Sequence, residues 1–84
     1  MRSAIARYFF DVLTADGLLH DEDGLELTSP DAVKTEVARI VSDIARDEIA
    51  DSISLTVTVD VRDGRDVTIF RGTLAFDSGW IDPS

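Results

Sequence analysis

The chain contains no cysteine, so disulfide staples, zinc–thiolate sites and cysteine nucleophiles are all excluded. It has a single histidine, His20, too few for a multi-histidine metal site. Positive charge is scarce: 8 basic residues stand against 17 acidic ones, for a net charge of −9. The basic side chains (Arg2, Arg7, Lys34, Arg39, Arg46, Arg62, Arg65 and Arg71) are scattered rather than clustered. Nucleic acids select basic surfaces because each phosphate contact releases condensed counterions. Anionic membrane surfaces select them by the same attraction. Neither is expected as a direct partner, whereas a basic protein remains possible. The five glycines are isolated, so there is no glycine-rich phosphate loop. No apolar run approaches the roughly 18 residues of a membrane span. The opening Met1–Arg7 lacks the apolar core of a signal peptide, and the expected location is cytoplasmic.

What is present is a globular balance, 44% hydrophobic and 30% charged over 84 residues. That length holds one domain, expected to span 1–84 with an ordered core over about 5–77 and a tail over 78–84. Arg7–Leu13 is rich in aromatic and branched residues and reads as a strand. Tyr8, Phe10 and Val12 fall on one face of it, with Arg7, Phe9, Asp11 and Leu13 on the other. Asp16-Gly17 favours a hairpin, with Leu18-Leu19-His20 returning as a short second strand. Asp21-Glu22-Asp23-Gly24 makes another turn, after which Leu25-Glu26-Leu27 extends toward a helix.

Ser29-Pro30-Asp31 is a helix start: serine caps free N–H groups, proline suits the first position, and aspartate complements the positive end of the dipole. Val33, Val37, Ile40, Val41 and Ile44 then recur at helical spacing, continued by Ala45 and Ile49. Glu36/Arg39 and Asp43/Arg46 set opposite charges three apart on the outer face. Asp47, Glu48 and Asp51 lie at the negative end of the dipole and help to end a helix of about 19 residues. Ile53, Leu55, Val57, Val59 and Val61 alternate with small polar residues, the mark of a strand with one buried face. Arg62-Asp63-Gly64-Arg65 suggests a two-residue hairpin, which pairs Val57 with Phe70 and Ile53 with Leu74. Phe70, Leu74 and Phe76 then join the core face. The expected fold is α+β, in ββαββ order, with one helix packed on one face of an antiparallel sheet of about four strands.

Tyr8-Phe9-Phe10-Asp11, the Asp21-Glu22-x-Gly24 turn and Val61-Arg62-Asp63 together resemble one family of short, acidic bacterial proteins, known only as a domain of unknown function. The resemblance runs from about Arg7 to Phe76. It supports the fold and implies no activity, cofactor or catalytic residue.

Candidate sites are few. Taking Gly24 as the sixth residue of a calcium loop places Asp21 and Asp23 at the third and fifth positions, but Leu19 and Pro30 then stand where acids are required. The turn therefore reads as solvated. His20 has acidic neighbours but no serine or cysteine nucleophile beside it, and reads as a surface residue. Gly72 interrupts a strand pattern and marks a bulge or leaves room for Leu55 opposite. Trp80 reads as folding back over the edge of its own core. No catalytic, metal or cofactor-binding residue is assigned, and no enzyme activity or cofactor is expected.

The uncovered face of the sheet is the leading candidate surface. It is expected to carry Arg7, Phe9, Asp11 and Leu13 from the first strand, and Thr56, Thr58 and Asp60 from the third. The fourth contributes Val67, Ile69, Arg71 and Thr73. Phe9, Leu13, Val67 and Ile69, with Arg71, would form one apolar patch if their strands adjoin. The expected function is a non-enzymatic interaction protein, a homodimer or a binder of another protein through that face. The alternatives are a small-ligand or metal site near His20, and an acidic regulator, such as an antitoxin, of a basic partner.

Overall fold

Ser29 opens the helix as its chemistry requires. Its extended backbone leads into Pro30, and its hydroxyl accepts the Ala32 N–H at 3.2 Å. The helix α1, Pro30–Glu48, runs 19 residues and closes in a short 3-10 turn, Ile49–Asp51. Ser29→Ala removes the cap and is expected to cost about 1 kcal/mol, read as a roughly 5 °C drop in the unfolding midpoint. Along the exposed side of α1, Arg39 bonds both Glu36 and Asp43, and Arg46 Nη1 reaches Asp43 Oδ1 at 3.1 Å.

The computed structural model describes residues 6–82. Met1–Ile5 and Pro83–Ser84 lie outside it, and with them the expectations for the leading segment, the start of the ordered core and the last tail residues. Five strands form the sheet: β1 Ala6–Thr14, β2 Gly17–Leu19, β3 Leu25–Leu27, β4 Ser54–Arg62 and β5 Thr68–Asp77. The fold is a small α+β domain, one helix packed on one antiparallel sheet, in the order β-β-β-α-β-β. The additional strand is Leu25–Leu27, which pairs with the N-terminal half of β1 while β2 pairs with its C-terminal half. Both short strands lie along the same edge of β1; β4 takes the other edge and β5 lies outermost. No helix among the described residues is long and apolar enough to cross a membrane.

The core lies between α1 and β4. Val33, Val37, Val41 and Ala45 face the sheet, and Val57, Val59 and Val61 are wholly buried beneath them. Phe10 and Leu55 complete the layer, with Tyr8, Val12, Phe70, Leu74 and Phe76 packed around it. Most of these side chains are short, so the helix sits close to the sheet. Gly72 follows from that closeness: a Cβ there would overlap Val37 Cγ1. The room expected for Leu55 is thus taken by the helix, and Leu55 faces Phe76 instead.

The β4–β5 hairpin differs from the expected one. Val57 faces Leu74 and Val61 faces Phe70, a slide of four residues from the two-residue turn. Asp63 is the cause. Its Oδ1 accepts the N–H groups of Arg65 at 2.8 Å and Val67 at 3.0 Å, so the loop runs Asp63–Val67. Asp66, rather than Gly64, takes the left-handed conformation, at φ 67°. Because the slide is even, Phe70, Leu74 and Phe76 keep the core face. A bulge opposite Val61 makes Ile69 an extra residue, and it lines a cleft with Tyr8, Pro30, Val33 and Phe70 on the helix side. The placement of Ile69 on the open face is therefore corrected. Ile53, expected in the core, is exposed just before β4, and Trp80 is 99% exposed rather than folded back.

Candidate functional site

Alternation along β1 sends Asp11 to the face opposite the helix, yet it is the one buried charged residue described. Arg62 explains its burial. From β4 the guanidinium crosses β1, its Nε donating to Asp11 Oδ2 at 2.7 Å and its Nη2 to Asp11 Oδ1 at 3.1 Å. Nη2 also donates to the Asp21 carbonyl at 2.8 Å, and Nη1 donates to Asp66 Oδ1 at 2.6 Å. The same group lies 5.0 Å from the centre of the Phe9 ring, its neighbour across the ladder. One side chain thus ties β4, β1, the 20–24 turn and the β4–β5 loop together.

The turn is built into the same cluster. Between β2 and β3 the outer edge of β1 has no strand partner, and there Asp21 Oδ2 accepts the Phe10 N–H at 3.0 Å. Asp21 Oδ1 accepts the N–H groups of Asp23 and Gly24, each at 3.1 Å, and the Asp21 N–H returns to Asp11 Oδ1 at 2.9 Å. Gly24, at φ +73°, brings its backbone against Phe9, where a Cβ would meet the ring edge at 2.8 Å. The turn expected to be solvated has its first carboxylate directed inward. His20 stays largely exposed, with Nδ1 3.3 Å from Asp11 Oδ1 and Nε2 3.3 Å from Arg62 Nη2.

Electrostatics agree with the geometry. The hydrogen bonds from Arg62 hold the Asp11 carboxyl below the usual range despite its burial. Burial works against Asp21, but its three backbone N–H donors outweigh it and lower that group as well. Both native values lie below the unfolded one, near 3.9, so the unfolded chain takes up protons first on acidification. Stability is expected to be level from pH 7 to about 5 and to fall as pH drops below about 4, as thermal melts across that range will show. Asp21→Asn should flatten part of the fall.

The three segments that carried the family resemblance, 8–11, 21–24 and 61–63, therefore meet at one place. A family model for a domain of unknown function, DUF6894, matches residues 7–75. The chain belongs to that family. No curated protein and no solved structure matches it. In this DUF6894 domain the cluster holds strands together: the oxygens of Asp11 and Asp21 accept hydrogen bonds from the fold itself, and among the described residues no group of three potential metal ligands occurs.

The expected interface residues are dispersed. Phe9 is half-buried against Arg62 and Gly24 in the DUF6894 cluster. Leu13 and Val67 are exposed, Val67 in the hairpin loop rather than in a strand. Arg71 Nη2 donates to Asp60 Oδ2 at 3.0 Å across β4 and β5. Since β4 separates β1 from β5, Phe9 and Leu13 do not adjoin the β5 side. The ground between holds the Asp11–Arg62 and Asp60–Arg71 pairs and the Thr58–Thr73 contact, so the face is polar in its middle. The feature sequence reasoning missed is the Arg62–Asp11–Asp21 cluster. Its only advance signal was that all three residues stood in the segments carrying the resemblance.

Proposed function

We propose that this domain is a non-enzymatic interaction protein, associating through its sheet with itself or with another protein. One observation carries the reading. Phe70, Leu74 and Phe76 on β5 pack against the core but are only partly buried, while Val61, Val57 and Leu55, their direct partners on β4, are buried. The apolar layer is therefore left open along its outer strand, a placement that favours a partner over solvent. The consumption of Asp11, Asp21 and Arg62 by internal hydrogen bonds supports a binding role over acid–base chemistry. Sedimentation of the purified protein, with tagged capture from its native cells, tests the proposal. The expected result is a stoichiometric assembly that survives high salt, as an apolar contact does. A monomer with no stoichiometric partner would overturn it.

A further inference from the structure

Resting on that reading, we infer that the occupant of the β5 edge is a second copy of this chain, its β5 added antiparallel about a twofold axis at Leu74. The hydrogen-bonding phase of that edge is known. The Ser78 N–H donates to the Ile53 carbonyl at 2.8 Å, which fixes which β5 residues turn toward β4. By alternation Phe76, Leu74 and Gly72 turn inward, and the N–H and C=O groups of Arg71, Thr73, Ala75 and Asp77 turn outward. No strand among the described residues pairs with that side of β5.

The residues along β5 are complementary to themselves in one register. With the axis at Leu74, Arg71, which keeps its pair with Asp60, stands opposite Asp77 of the second copy, and the contact repeats across the twofold. Thr73 and Ala75 exchange backbone hydrogen bonds in both directions. On the helix side Phe76 stands opposite Gly72, over which Val37 sits, and Leu74 meets Leu74. Moving the axis to Thr73 sets Arg71 opposite Ala75 and Phe70 opposite Phe76. Moving it to Ala75 sets Arg71 opposite Gly79. Either move loses both ion pairs. The favoured register also covers the partly open sides of Leu74 and Phe76 and leaves both helices on one face of a joined sheet.

The absence of cysteine makes the register directly testable. Leu74→Cys places two thiols in a facing pair whose Cα atoms are about 4.5 Å apart, within disulfide reach. It is expected to yield a covalent dimer on mild oxidation. Ala75→Cys is offset along the ladder beyond the ~7 Å limit and is expected not to. Ala75→Pro removes an N–H that its own sheet does not use, and should give a folded monomer at concentrations where the parent is dimeric. Asp77→Arg, which opposes two arginines, should weaken self-association roughly tenfold. A parent protein that sediments as a monomer at all concentrations overturns the second copy, and capture of a different stoichiometric partner would still leave the interaction reading intact. A dimer that survives Ala75→Pro, fails to bridge through Leu74→Cys and is lost on Leu13→Arg would place self-association on the open face and overturn the edge.

Discussion

Replacing Gly72 by valine is expected to destabilise the domain by about 3 kcal/mol, lowering the unfolding midpoint by roughly 15 °C. In an ordinary strand the change would help, because glycine interrupts strands and a branched side chain suits them. Here the sign is reversed by Val37, whose Cγ1 occupies the space a Cβ at position 72 would need. Val37 is buried and β-branched within a helix, so it has little rotamer freedom with which to yield. The helix itself must lift from the sheet. A double-mutant cycle measures the conflict directly. Gly72→Ala and Val37→Ala each destabilise alone, one by overpacking and one by leaving a cavity. Their combination is expected to cost at least ~1 kcal/mol less than the sum. Strict additivity would mean that the two sites do not compete for that space.

Asp21→Ala is expected to cost about 2 kcal/mol, or roughly 10 °C. The carboxylate accepts three backbone N–H groups, from Phe10, Asp23 and Gly24, and alanine replaces none of them. Asparagine is expected to rescue only partly. Its oxygen can serve one side of the turn, but its NH2 then faces another donor. Hydrogen exchange gives the specific readout: the Phe10 amide should lose protection well before the amides of Val57 and Val59 at the sheet centre. Uniform loss across the sheet would mean that Asp21 supports the fold in some way other than as the edge partner of β1.

Local chemistry made much of this legible in advance. The Ser29-Pro30-Asp31 start and the apolar stripe of Val33, Val37, Ile40, Val41 and Ile44 marked α1, and strict alternation marked β4 with its buried face. What escaped were effects of distant side chains on backbone groups. Asp11 is buried by Arg62, 51 residues away, and nothing adjacent to Asp11 signals it. Asp63-Gly64 has the composition of a two-residue turn, but the Asp63 carboxylate gathers two later N–H groups and makes the loop longer. The resulting bulge then moved Ile69 from one face to the other. Leu25–Leu27 is too short for periodicity to register and becomes a strand only because β1 offers it an edge. For the candidate site, the residue types were visible as three short segments, whereas their convergence required the topology.

The outer edge of β1 is closed by a mosaic: three residues of one strand, an aspartate side chain, then three residues of another. Short, interrupted strands of this kind give an incoming chain no continuous template. The domain is therefore polar in the assembly sense, with one blunt margin and one receptive margin. In the proposed dimer, units joined through β5 present only blunt margins to the outside, so growth stops at two and a fibre has nowhere to start.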